Sequence, residues 1–468
     1  MRLDRRRFLR AAAVAMPAIL SPAFAGANGL DLRPPQRPVP DPRAVVARHA
    51  LPGQVSFALQ AADEPLALGM AAVPMAPAST MKAITALYAL DRLGSNHRFR
   101  TMVFRAGDML ILAGGGDPVL STDDLAGLAA QVVSTGQQAP ARFAVWGGAL
   151  PHLPQIANEQ AEHLPYNPSI SGIILNFNRV HLGWSRVGMN HQISVEARSA
   201  LNSPRAYSVT ASPGDHRDLF TYRNDPQHEY WTISRAAMGR SGSRWLPVRL
   251  PELYAADVFQ TLCRARGLPL PAPEMIDRLP EGQVLATHDS PSVEVLIRDM
   301  LRYSTNVTAE ALGLHASGAP DLAASARAMQ NWLGDRGQGT ALADHSGLSK
   351  SSRLSAYAMT RILAGPGRDL GLQRLLRQDP LSVDLERDPS ARHKVSAKTG
   401  TLNFVSNLAG YVTSPGGGEG TFAIFCTDRM RREAAVGQEL PVGVSTWTRD
   451  AKMLQRDLLA AFSERLEV

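Results

Sequence analysis

Lysine is nearly missing from this 468-residue chain: of 49 basic side chains only five are lysines, at positions 82, 350, 394, 398 and 452. Cysteine is scarcer still. Two residues, Cys263 in a helical run and Cys426 in a strand pattern, cannot make a disulfide framework, and a chain of this length has interior enough to do without one. Both therefore read as buried free thiols. No H-E-x-x-H or C-x-x-C pattern occurs, so no catalytic metal is indicated, and Gly114 to Gly116 lacks the Gly-Lys-Ser/Thr continuation of a phosphate loop. No cofactor is assigned. Strong charge is lacking too: of the formal +7, residues 1–25 hold five arginines and one aspartate, which leaves only +3, dispersed, on the rest. That balance gives no case for a nucleic-acid partner. Beyond the N-terminus no apolar run reaches membrane-spanning length, so no transmembrane anchor is expected in the mature chain.

The scarcity gives weight to the places where lysine is kept. Arginine stays charged at any ordinary pH, whereas a buried ammonium beside another cation can lose its proton and take one from a serine. Lys82 closes Ser79-Thr80-Met81-Lys82 and Lys398 opens Lys398-Thr399-Gly400; between them lies Ser304-Thr305-Asn306. Alone, Ser79 would read as a helix N-cap and the Lys398 triplet as a polar strand end. Together and in this order, S-x-x-K, S-x-N and K-T-G are the trio of penicillin-recognising serine enzymes.

Each motif falls in the local structure its role requires. From Ser79, Ile84, Leu87, Tyr88 and Leu90 recur at helical spacing until Gly94, so Ser79 opens a helix and shares a face with Lys82. The free N–H groups of that helix start suit an oxyanion. A helical segment from Ser290-Pro291 through Leu301 breaks at Tyr303 to Asn306 before a second apolar stretch. Ser304 and Asn306 are thus expected on a loop between two helices. His393 to Thr401 reads as a strand, followed by a hairpin of Leu408 to Thr413 and Thr421 to Thr427 around a Gly-rich turn. Backbone after Gly400 can bind an extended peptide edge-on. The amphipathic segment Trp447 to Leu466 is expected to close over that sheet.

With these residues the chain resembles the low-molecular-mass class C penicillin-binding proteins, the D-alanyl-D-alanine carboxypeptidase/endopeptidase family of the penicillin-binding protein 4 type. Further segments resemble it as well: Gly115 to Leu120, Tyr166 to Val180, Pro251 to Ala256, Asp344 to Ser349 and Lys398 to Tyr411. The 225 positions between Ser79 and Ser304 fit this family and not the class A β-lactamases, whose motifs lie closer together. About 190 intervening residues need a core of their own.

The resemblance implies an α/β (α+β) fold: a β-lactamase/transpeptidase-like domain, with an antiparallel sheet flanked by helices, built from residues 27–96 and 286–468. Residues 97–285 would be an inserted mixed domain with a nested β-rich unit around 182–235. It implies a serine carboxypeptidase or endopeptidase acting on peptidoglycan stem peptides and acylated by β-lactams. In that scheme Ser79 is the nucleophile, Lys82 its base, and Ser304 a proton relay between Lys82, Lys398 and the departing amine. Asn306 holds the acyl-side amide, Lys398 and Thr399 bind the terminal carboxylate, and the N–H groups of Ser79 and Thr401, beside Gly400, hold the oxyanion. Lys350 and either Glu159 or Glu162 would meet the substrate side chain. Two alternatives share these motifs: a β-lactamase of the same fold, and a non-catalytic wall-binding or sensor protein. Against the first, no Glu-x-x-Leu-Asn segment follows Ser304; against the second, all three motifs are intact. Finally, Asp4 to Arg10 and the Ala-rich run to Ala25 resemble a twin-arginine signal peptide, residues 1–25, removed on export to the periplasm.

Overall fold

A computed structural model describes residues 39–468, except 63, 383–384 and 386–391. The expected signal peptide, residues 1–25, and the start of the expected first catalytic segment, residues 27–38, lie outside the described residues.

The expected sheet has six strands, in the order Arg377–Gln378, Lys394–Leu402, Val405–Thr413, Glu419–Thr427, Gln54–Ala61 and Glu64–Gly69. Every neighbouring pair is antiparallel. Both faces are covered, and strand alternation sorts the side chains between them. Val395, Ala397, Leu408, Phe422, Ile424 and Cys426 face Trp447, Leu454, Leu458 and Phe462 of the closing helix Val444–Arg465. On the opposite face Ala58, Ala409, Ala423 and Phe425 pack on Ile84 and Leu87 of the helix Met81–Leu93 and on helices Val293–Tyr303 and Ala356–Ala364. The first ten residues of Met81–Leu93 are all buried, as an apolar sequence on every side requires. It ends at Gly94, which has φ +81° and donates to the Leu90 carbonyl.

Between helix Met81–Leu93 and helix Val293–Tyr303 the chain builds a second sheet. Its strands run Pro273–Met275, Arg142–Trp146, Met109–Ala113, Arg100–Ala106 and Gln283–Asp289. Helices Thr122–Ser134 and Pro251–Arg264 pack on it. Two three-stranded sheets adjoin, one of Ser241–Pro247, Arg179–Val187 and Asn190–Glu196, the other of Val209–Gly214, His228–Ser234 and Phe220–Asp225. The first of these draws strands from outside 182–235, because Arg179–Val187 pairs along its length with Ser241–Pro247. Cys263 and Cys426 are both buried and free.

The largest cluster of this second region takes its buried members only from residues 103–286, while the clusters on the main sheet take theirs from 45–99 and from 293 onwards. We propose on that basis a domain inserted into a discontinuous catalytic domain, beginning near 97 as expected but ending after strand Gln283–Asp289 and not at 285, because that strand pairs with Arg100–Ala106 to its last residue. Expressed alone, residues 97–289 should unfold in one cooperative urea transition; a gradual, non-cooperative loss of structure would refute the division.

Candidate active site

Ser79 stands on a short 3-10 turn, Ala78–Thr80, that runs into helix Met81–Leu93. Ala78 just before it has φ +46°, a left-handed conformation unfavourable for a side chain. Such strain persists where its surroundings over-determine it. Two glycines let neighbours close on the turn. A Cβ on Gly347 would lie 1.9 Å from the Ala78 carbonyl oxygen, and one on Gly400 about 3.0 Å from the Ser79 nitrogen. Asn407, on the next strand, donates to the carbonyls of Ala76 (2.8 Å) and Pro77 (2.9 Å) and ties the turn to the sheet.

The three motifs meet here. Lys82 Nζ lies 3.0 Å from Ser79 Oγ, 2.7 Å from Asn306 Oδ1 and 2.8 Å from the Ser346 carbonyl oxygen. Lys398 Nζ donates to Ser304 Oγ at 3.1 Å and to the Thr399 carbonyl at 2.7 Å. Ser304 occupies the corner between the two helices at φ +61°, as a loop residue should, but Asn306 is already the first residue of helix Asn306–Ser317. Its other amide group donates to the Tyr166 carbonyl (2.9 Å), so both ends of the side chain are engaged. Ser304 bonds to Lys398 rather than to Lys82.

Both lysines are buried, Lys82 fully and Lys398 at 2% exposure. Burial pulls the Lys82 ammonium down to about 8, against the carboxylates of Glu310 and Asp344, which pull it up. Burial also carries Lys398 well below its ordinary value, helped by the charges of Lys82 and Arg377. The two carboxylates are themselves fully buried and pin the strip under Lys82. Glu310 accepts from the His345 (3.0 Å) and Ser346 (2.9 Å) amides, and Asp344 from the Ser349 amide (2.8 Å) and Ser352 Oγ (2.6 Å). Burial and the neighbouring Asp344 push Glu310 up to about 8, and burial raises Asp344 as well. Motif spacing did not reveal this pair. One signal was available: Glu310 is four residues after Asn306 on a helix, hence on the same face.

Above these groups opens a cleft of about 730 Å³ lined by Ser79, Ser304, Asn306, Thr399, Thr401 and Lys350. Among the described residues the outer edge of the Lys398 strand is open here, since Arg377–Gln378 pairs only with Ala397 and Ser396. Glu159 also lines the cleft, and its carboxylate accepts the Lys350 amide. Glu162 is not among the lining residues. Lys350 is exposed at the cleft wall. Ser79, Lys82, Ser304, Asn306, Lys398, Thr399, Thr401 and Lys350 are therefore brought to one place.

The family model of the D-Ala-D-Ala carboxypeptidase 3 (S13) family matches residues 45–449. A D-alanyl-D-alanine carboxypeptidase of Actinomadura sp. (strain R39) is 26% identical over 447 residues, covering 85% of this chain and 82% of that protein. A carboxypeptidase of Mycobacterium tuberculosis is 27% identical over 389 residues, covering 76% of this chain and 72% of that protein. Among solved structures, penicillin binding protein 4 from Haemophilus influenzae superposes with a TM-score of 0.71 at 19% identity, over 89% of this chain and 99% of that one, which establishes the fold. With a family match over most of its length and that fold around the lysine–serine cluster, the chain belongs to the D-Ala-D-Ala carboxypeptidase 3 (S13) family.

Proposed function

We propose that this protein is a serine-type D-alanyl-D-alanine carboxypeptidase, with endopeptidase action on cross-linked stem peptides, that works through a Ser79 acyl-enzyme. One observation carries the reading: Ser79 Oγ lies 3.0 Å from a fully buried lysine amine whose pKa is drawn down to about 8. Such an amine is an available base near neutral pH, and it sits within hydrogen-bond reach of the proton it takes.

The peptide lies along the open edge of the Lys398 strand, with its terminal carboxylate at Lys398 and Thr399. Ser79 attacks the carbonyl between the last two D-alanines as its hydroxyl proton passes to Lys82. The amides of Ser79 and Thr401 face the developing oxyanion. The proton then reaches the leaving amine by way of Ser304, whose hydroxyl already bonds to Lys398. D-Alanine departs, and water hydrolyses the ester. A β-lactam presents the same carboxylate and acyl carbon, forms the same ester, and stays. Lys350 and Glu159, side by side on the cleft wall, would read the diamino acid side chain of the substrate. The arginine cluster before Phe8 supports a further proposal, export to the periplasm by the twin-arginine route.

Fluorescent penicillin should label the wild type and not Ser79→Ala; equal labelling of both would refute Ser79 as nucleophile. Its rate should also follow pH with a definite sign. Below about 8 Lys82 carries its proton and is no base, so acylation is slow and rises as pH passes through that value. Glu310 loses its proton over the same range and draws Lys82 upward, so the rise should be broader than a single titration. A rate that falls from pH 6 to 9 would contradict the general-base role.

For Lys350→Ala, kcat/KM on a diaminopimelate-containing pentapeptide should fall about tenfold relative to its value on diacetyl-lysyl-D-alanyl-D-alanine, which lacks the side-chain carboxylate. Equal losses on the two would leave Lys350 without a recognition role. Replacing Arg5 and Arg6 by Lys should strand precursor in the cytoplasm; unchanged arrival in the periplasm counts against the twin-arginine route.

A further inference from the structure

The active-site cleft does not end at Lys350. It shares Lys350, Arg432 and Val436 with a second groove of about 660 Å³. Four cations line that groove, Lys350, Arg353, Arg429 and Arg432, against one carboxylate, Glu433. The carboxylate is already taken, because Arg429 bonds to it at 2.9 Å. Arg353 is held in place by the backbone carbonyls of Lys350 (2.6 Å) and Ser352 (2.9 Å), neutral partners that fix its position and leave its charge uncompensated. The backbone of Arg432 is bonded within its helix, to the Asp428 carbonyl and the Ala435 amide, but its guanidinium has no hydrogen-bond or ion-pair partner among the described residues. Burial lowers its pKa, and so does the charge of Arg353, with Glu159 and Glu433 acting in the opposite direction.

Two neighbouring guanidinium groups, Arg432 half-buried and without a side-chain partner among the described residues and Arg353 exposed, repel one another at a cost to the fold. An anion bound between them would remove the cost. The register of the sheet indicates which one. With the substrate's terminal carboxylate at Thr399 and its scissile carbonyl at the Thr401 amide, the chain on the N-terminal side of that carbonyl runs towards Leu402. Leu402 pairs with Val405, Val405 with Thr427, and Thr427 with Gln54, and both Thr427 and Gln54 line the groove. These pairings cross the sheet inward from the open edge, so they place the groove at the same end of the sheet as Leu402, the end towards which the upstream chain runs, and it is reached from the cleft through the shared Lys350 and Arg432. In a stem peptide the residue before the diamino acid is a γ-linked glutamate, whose α-carboxylate is free.

We propose that this groove is a subsite for that upstream carboxylate, gripped in a bidentate fashion by Arg432 with Arg353 beside it. The subsite rests on the peptidase reading above. It makes the enzyme a reader of two substrate carboxylates in addition to the C-terminal one, and of whether the glutamate is amidated.

The test uses the full mature protein and two pentapeptides that differ only in this group, free α-carboxylate or α-carboxamide. The wild type should prefer the carboxylate form by about tenfold in kcat/KM, the scale of one charge-assisted contact. In Arg432→Gln that ratio should fall towards one. Arg432→Lys, which keeps the charge and loses the fork, should fall between. Retained penicillin labelling identifies the variants as folded, and if Arg432→Gln does not fold, Arg432→Lys carries the test. A wild-type ratio near one, or a ratio that survives both substitutions, overturns the subsite. If the wild type takes the penicillin label yet releases D-alanine from neither pentapeptide, the peptidase reading itself fails and the subsite falls with it.

Discussion

Everything at this site depends on keeping the Lys82 ammonium away from water. Desolvation is the largest influence on it and favours the neutral amine, the form able to accept a proton. Burial alone would overshoot: a lone cation with no counter-charge would be neutral under all ordinary conditions and could not hold the proton it receives. Glu310 and Asp344 supply the opposing pull, and being buried and close to one another they resist ionising together. The result is a small set of groups sharing few protons, poised near neutrality. The same two carboxylates clamp the strip from Asp344 to Ser349 that offers Lys82 the Ser346 carbonyl, so the geometry and the titration of the base have one cause.

The second lysine is placed by register. Lys398 stands opposite Ala409, Ala409 opposite Ala423, and Ala423 opposite Ala58, a row in which three of four residues are alanine. Small side chains along that row let the helix carrying Ser79 and Lys82 approach the sheet, and Gly400 lets its turn touch the strand itself. Alternation then leaves no freedom: Val395 and Ala397 face the closing helix, so Lys398 must face the side that carries Ser79 and Lys82. A slip of one residue would turn Lys398 towards Trp447 and Phe462 and remove it from the site.

Much of this was legible in the sequence because it is written locally. The i, i+3 pairing of Ser79 and Lys82, the break at Ser304 and the hairpin after Gly400 are each set within a few residues by periodicity and turn chemistry, and motif order joined them. What could not be read was chemistry carried between distant segments. Glu310 and Asp344 are 34 positions apart and look like ordinary acids until the fold buries them beneath Lys82. Tyr166 contributes a backbone carbonyl, which no side-chain pattern encodes. Arg432 lies in a run of surface-type residues, and only its position between two cavities sets it apart. Asn306 read as a loop residue because a helix start and a loop end differ by a single hydrogen bond.

The long segment between Ser79 and Ser304 then has a chemical reason to exist. It supplies Glu159 and Tyr166 to the cleft wall, and the Tyr166 carbonyl orients the amide of Asn306, whose oxygen is one of the three contacts fixing Lys82. It also meets the stretch after helix Arg429–Ala434, where Glu439 pairs with Arg244 and, at 3.4 Å, with His163. These contacts are polar and lie at the rim, whereas the contact beneath them is apolar, with Leu150, Ile156 and Ile174 packed on Val307 and Leu314. An apolar base under a polar rim fixes the intervening segment on the helix that carries Asn306, and through Asn306 it fixes Lys82. A cleft made only by the sheet and its two layers of helices would keep Ser79 and the Lys350 side of the cleft but would lack the wall that Glu159 and Tyr166 form.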